Sequence, residues 1–116
     1  MMRTMLKSKI HRCRVTEANL FYEGSITVDS ALLAAADILP GEKVEVLNLN
    51  TGMRLETYAI AGKKNSGVIC LNGPAARGAC VQDEVIILSY FIVADQDAGS
   101  LKAKIVKVNE RNRIKN

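Results

Sequence analysis

Hydrophobic and polar positions alternate with a period of two along most of this chain. Over residues 3–15, Leu6, Ser8 and Ile10 fall on one face of an extended segment, and Lys7, Lys9, His11 and Cys13 on the other. ITVD at 26–29 is a short strand. Asp29 or Ser30 then caps a helix through ALLAAAD, and Pro40-Gly41 closes that excursion. EKVEVLNL and MRLETYAIA both alternate, and Asn50-Thr51-Gly52 joins them as a hairpin. GKKNSG turns the chain again before VICL, a short apolar strand. NGPAARGA is too rich in Gly, Pro and Ala to stay regular for long. EVIILSYFIV, the most apolar segment, is predicted to run through the centre. DQDAGS reads as a loop, KIVKV as a last strand and NERN as a turn, with a fraying tail after it. About seven close-spaced strands and one clear short helix predict a mainly β fold, a small closed six- to seven-stranded barrel with short helices.

Composition narrows the class. A length of 116 residues suits one domain with one core, and 48% hydrophobic residues argue against disorder. Trp is absent and aromatics are scarce, so aliphatic side chains must fill the interior. No apolar run approaches the roughly 20 residues that span a bilayer, and no apolar segment of a signal peptide follows the basic N-terminus. Cys13, Cys70 and Cys80 are odd in number and match no metal or redox spacing; the ordinary role for all three is to fill strand interiors. With reduced cysteines, the expected location is the cytoplasm.

The net charge is +4, with basic residues gathered at both ends. This suits a nucleic-acid surface or solvated strand edges. The lack of interleaved aromatics favours the second.

Three stretches could carry chemistry. Arg54, Glu56 and Tyr58 share a face of the second hairpin strand, where a guanidinium can hold a carboxylate and a phenol can supply a proton. NGPAA at 72–76 leaves backbone groups uncovered, and Asn72 adds donors and an acceptor. YEGSI at 22–26 contains Gly24-Ser25. Each is also an ordinary feature: an exposed strand face, a tight turn, another turn.

Taken together and in order, the three are specific. RTMLKSKIHRCRVTEANLFYEGSITVD, NTGMRLETYAIAG and ICLNGPAARGACVQDEVIILSY resemble, in register and without gaps, the pyruvoyl-dependent aspartate decarboxylase family. The match is loose after about Asp95. The resemblance implies a double-psi β-barrel and a homotetramer with active sites between subunits. It implies self-cleavage between Gly24 and Ser25 into a β chain, 1–24, and an α chain, 25–116. Ser25 becomes a covalent pyruvoyl group that forms a Schiff base with L-aspartate. Neither a metal nor pyridoxal phosphate is required. The reaction yields β-alanine and CO2 for pantothenate synthesis.

The same resemblance assigns roles. Thr57 assists cleavage, and His11 and Tyr22 accompany Gly24 and Ser25 at the processing site. Tyr58 is the proton donor. Arg54 matches the residue that binds a substrate carboxylate and Lys9 one that lines the site; a cation on the departing carboxylate would slow its loss, so Arg54 is expected to hold the retained one, with Lys9 as a second cation. Thr57, Asn72, Gly73, Pro74 and Ala75 contact substrate. Some members use a maturation factor. Neither nucleic acid nor membrane is an expected partner. The alternative is a basic β-barrel that binds nucleic acid and is never processed. Strict alternation sets Thr57 and Tyr58 on opposite faces, so both act together only if the strand bulges or if neighbouring subunits share sites.

Overall fold

The computed structural model describes residues 1–115; Asn116, the last residue of the expected domain, lies outside them. Eight strands form among the described residues: β1 (Met2–Arg14), β2 (Glu17–Asn19), β3 (Ser25–Asp29), β4 (Lys43–Asn48), β5 (Arg54–Gly62), β6 (Ile69–Asn72), β7 (Glu84–Ala94) and β8 (Lys104–Lys107). Helix α1 (Ser30–Ala35) follows β3, a 3-10 helix (Gly73–Gly78) follows β6, and α2 (Asp95–Ala98) follows β7. The strands are ordered β2-β6-β3-β5-β4-β7-β1-β8. As the apolar run predicts, β7 is internal, antiparallel to β1 on one side and to β4 on the other.

Three local expectations change. The additional strand, β2, is three exposed residues parallel to β6, so no hydrophobic alternation announces it. NGPAARGA holds a 3-10 helix, with Pro74 in its first turn where a missing N–H costs little. DQDAGS contains one turn of α-helix where a loop was expected.

The core is aliphatic. Ile10, Val15, Ile26, Val28, Leu32, Ile69, Leu71 and Ile87 are all essentially fully buried, each worth about 1.5–3 kcal/mol of apolar burial. Strand β1 departs from simple alternation: its pairing with β7 shifts register between Leu6 and Ser8 and between Ile10 and Cys13, and Arg12 has φ of 60°. The second shift turns Cys13 into the core with Ile10, not onto the face of Lys9 and His11 as alternation predicted. Cys70 is also buried, but Cys80 is exposed and lies outside any strand.

Two buried polar residues tie the segments down. Asp29 caps α1 by accepting from the Ala31 N–H at 2.8 Å, and it also accepts from Asn65 N–H at 2.9 Å and Gly67 N–H at 2.8 Å. The end of β3 is thereby fixed to both the helix and the turn before β6. Asn112 donates from Nδ2 to the carbonyls of Arg14 and Gly67, both at 2.8 Å, and accepts from Arg14 N–H at 2.7 Å. The NERN turn is therefore pinned, and a bridge between Val108 and Ile114 holds the segment expected to fray.

Candidate functional site

Strands β3 and β6 are antiparallel, with Ser25 opposite Asn72 and Thr27 opposite Cys70. Period-two geometry puts these four on one face, while Ile26, Val28, Ile69 and Leu71 point into the core from the other. Ser25 is fully buried, and Asn72 and Cys70 nearly so. Ser25 Oγ donates to the Glu23 carbonyl at 3.1 Å and accepts from Asn72 Nδ2 at 2.9 Å. Asn72 Nδ2 donates its other hydrogen to Thr27 Oγ1 at 2.9 Å, and Asn72 Oδ1 accepts from the Cys70 thiol at 3.2 Å. A serine in an ordinary Gly-Ser turn is wet; this one is dry and fully engaged.

Residues 22–24 lie against the start of the 3-10 helix. Gly73 has φ of 59°, and a Cβ there would stand 2.7 Å from the Tyr22 carbonyl oxygen, 2.8 Å from Gly24 N and 2.9 Å from Gly24 Cα. Only glycine permits that approach. A Cβ on Gly24 would in turn meet Pro74 Cδ at 3.2 Å. Gly73 and Pro74 thus form the surface on which the Gly24-Ser25 bond rests.

A cleft of about 460 Å³ opens beside this bond, lined by Gly24, Thr57, Tyr58, Pro74, Ala75 and Arg77, among others. Its position follows from topology. Strand β3 runs parallel to β5, pairing from Ile26 with Ala59 onward. Carried back by one and two residues, that register sets Ser25 beside Tyr58 and Gly24 beside Thr57. No register shift interrupts β5 against β4 over residues 54–58. Thr57 and Tyr58 nevertheless border one cleft, because it lies along the strand edge instead of on either face.

The remaining expected site residues are not gathered there within one chain. Arg54, Glu56 and Tyr58 do share a face, as alternation predicts, since they pair with Leu47, Glu45 and Lys43. Arg54, however, points to Glu45 (3.4 Å) and is largely exposed. His11 lines a different cleft with Arg12, Arg14, Glu84 and Lys107. Its Nδ1 is buried and meets no hydrogen-bond partner among the described residues. Burial, then the charges of Lys9, Arg12 and Lys107, hold its pKa below the ordinary histidine value, against an opposing pull from Glu84. Lys9 shares β1 with His11, and Tyr22 is half-exposed beside Phe21, which is almost fully exposed.

Sequence reasoning missed Thr27, Cys70 and Arg77. The spacings Ser25-x-Thr27 and Cys70-x-Asn72 were visible, but they become a cluster only once the β3–β6 register is known. Among the described residues, no three His, Cys, Asp or Glu side chains gather as they would around a metal ion. Among the described residues, no helix is long and apolar enough to cross a membrane.

Comparison with known proteins shows the family. A family described as aspartate decarboxylase matches residues 1–115. Aspartate 1-decarboxylase of Thermoanaerobacter pseudethanolicus is 56% identical over 113 residues, 97% of each chain. The enzyme of the same name from Listeria monocytogenes serovar 1/2a is 57% identical over 114 residues, 98% of this chain and 90% of the relative. That of Desulfitobacterium hafniense is 58% identical over 112 residues, 97% and 88% of the two chains. The crystal structure of the rationally designed mkDPBB_sym_86 protein superposes with a TM-score of 0.51 at 20% identity, over 72% of this chain and 91% of that one. That likeness bears on fold alone: the double-psi β-barrel.

Proposed function

Because the chain belongs to the aspartate decarboxylase family, decarboxylation of aspartate is its activity, and we propose that it gains this activity by cutting itself between Gly24 and Ser25. The observation that carries the proposal is the state of Ser25: fully buried, its hydroxyl held between Glu23 and Asn72, next to a peptide bond pressed onto Gly73 and Pro74. In the cut, Ser25 Oγ bonds to the Gly24 carbonyl carbon, the Gly24-Ser25 C–N bond breaks, and the hydroxyl proton passes to the freed nitrogen. Loss of amide resonance opposes this step, so a donor to the Gly24 oxygen matters. Thr57, brought alongside Gly24 by the β3–β5 register, is suited to supply one, worth roughly 3 kcal/mol. Elimination then removes the Cα proton of residue 25 to a base and breaks its Cβ–Oγ bond, leaving a Cα=Cβ double bond. Gly24 leaves as a carboxylate ending the 1–24 chain, and water replaces the residue-25 nitrogen, which departs as ammonia.

The pyruvoyl group so formed supplies an electron sink for the carboxylate that leaves L-aspartate, without pyridoxal phosphate. It would be smaller than the serine it replaces, and Asn72, whose Nδ2 donates to Ser25 Oγ at 2.9 Å, would be the side chain to hold it. The chain's own residues do the rest. Tyr58, half-exposed on the cleft, delivers a proton to the carbon that loses CO2. Arg54 holds the retained carboxylate, after exchanging Glu45 for it. Backbone groups of residues 73–75 shape the turn beneath the substrate.

Arg54, Lys9 and His11 lie outside the cleft of a single chain, which supports a homotetramer whose sites are completed by neighbours. The product is β-alanine, destined for pantothenate in the cytoplasm, and a maturation factor is compatible with a buried, fully engaged Ser25.

Intact mass spectrometry, followed by borohydride trapping with L-aspartate, tests the proposal. Two chains divided after Gly24, with the adduct on the larger, are expected. A chain that stays whole on prolonged incubation, alone and with cell extract, would overturn it.

A further inference from the structure

Resting on the self-cleavage reading above, we infer that Cys70 and Thr27 are positioning residues that fix which end of the Asn72 amide faces Ser25. An asparagine amide has nearly the same shape when turned by 180°, so packing alone does not choose its orientation; donors and acceptors do. The Cys70 thiol has Asn72 Oδ1 as its nearest acceptor, at 3.2 Å, against 4.0 Å for both Glu17 Oε2 and the Leu71 carbonyl. The Cys70 thiol donates to Oδ1, and the hydroxyl oxygens of Ser25 and Thr27 accept the two Nδ2 hydrogens. Turned over, the amide would set its NH2 against the thiol hydrogen, and both hydroxyls would have to turn and donate to its oxygen. Ser25 would then give its hydrogen to Asn72 and release Glu23.

The orientation bears on reactivity. To attack, Ser25 Oγ must shed its proton, and an N–H donor to that oxygen eases the loss while an amide oxygen, which would hold the proton, opposes it. A neutral thiol is needed to keep that donor in place. Burial, then the charge of Glu17, pushes the Cys70 thiol up, so it stays protonated at neutral pH. When Oγ leaves with Gly24, the Asn72 hydrogen it occupied is freed. Cys70 and Thr27 still aim it at residue 25, so the same pair prepares a donor for the mature site.

The test follows the first-order cutting of freshly purified, uncut chain by intact mass, with thermal midpoints measured in parallel. Cys70→Ala and Cys70→Val bracket the thiol in volume and remove its donor; both are expected to slow cutting by about fivefold to tenfold. Cys70→Ser keeps a donor and should stay within about twofold of wild type. Thr27→Val should slow cutting and Thr27→Ser should not, which gives a second readout if a Cys70 variant fails to fold. Cutting that follows side-chain volume, with Cys70→Ser as slow as Cys70→Ala, overturns the inference. So does cutting of Cys70→Ala and Thr27→Val at the wild-type rate. A wild type that is never cut removes instead the reading on which the inference rests.

Discussion

Substitution of Gly73 by alanine strikes the bond-presenting surface directly. Two costs add. Alanine at a φ of 59° occupies the left-handed region, at about 1–2 kcal/mol. Its Cβ would also press to within 2.7–2.9 Å of three backbone atoms, all in Tyr22 or Gly24, where ordinary contact begins at 3.4 Å. Backbone cannot rotate aside as a side chain can, so overpacking adds about 1–3 kcal/mol. The expected loss is about 2–5 kcal/mol, or a fall in thermal midpoint of about 4 °C for each kcal/mol. Because the repulsion falls wholly on residues 22–24, relief moves the scissile segment away from Asn72 and the cleft. A displacement of about 1 Å suffices to slow cutting about 100-fold. Gly41→Ala is the control: φ is 88° with nothing within 4 Å, so it should lose only the first term and be cut normally. Intact mass time courses and thermal melts read both quantities. Gly73→Ala cut at the wild-type rate would refute the reasoning, whatever its stability.

Tyr58→Phe should be cut normally yet turn over aspartate about 100-fold or more slowly, as read by β-alanine formation; unchanged turnover would remove Tyr58 as proton donor. Asn112→Ala loses three hydrogen bonds, two of them to Arg14, and should cost about 2–4 kcal/mol in urea unfolding while freeing the C-terminal segment to hydrogen exchange. Burial alone would raise the Glu42 pKa, but hydrogen bonds from Lys7, Ser89 and the Leu39 N–H outweigh it and hold it below the ordinary glutamate value. Its contribution is thus present above pH 4.5 and lost as the pH falls through the lowered pKa. Glu42→Gln should be less stable than wild type by about 2 kcal/mol at neutral pH, a gap that closes in acid; a gap constant down to pH 3 would count against this account.

Alternation located most of the long strands to within a residue or two, because each has one face in the core and one outside. It failed where neither face carries the signal. Strand β2 is wholly exposed, and the bulge at Arg12 inverts the phase so that Cys13 joins Ile10 in the interior. The site was legible as separate stretches. Their convergence depends on the parallel β3–β5 pairing, a contact between segments more than thirty residues apart that no local pattern encodes. The quartet of Ser25, Thr27, Cys70 and Asn72 was invisible for the same reason. Arg54 and His11 lie away from the cleft beside Gly24, since resemblance records the residues of a site without their positions in space.

The placement of β1 changes what folding means for the finished protein. This 13-residue strand lies between β7 and β8 and contributes Ile10 and Cys13 to the core, and it belongs entirely to the segment before Gly24. Under the proposed cut, the two pieces are held by packing and hydrogen bonds alone. Unfolding then releases two molecules where synthesis made one, and recovery depends on concentration and on their meeting again. The precursor can find its structure repeatedly; the matured chain pair must keep the structure it already has, and its durability becomes a matter of how slowly it opens.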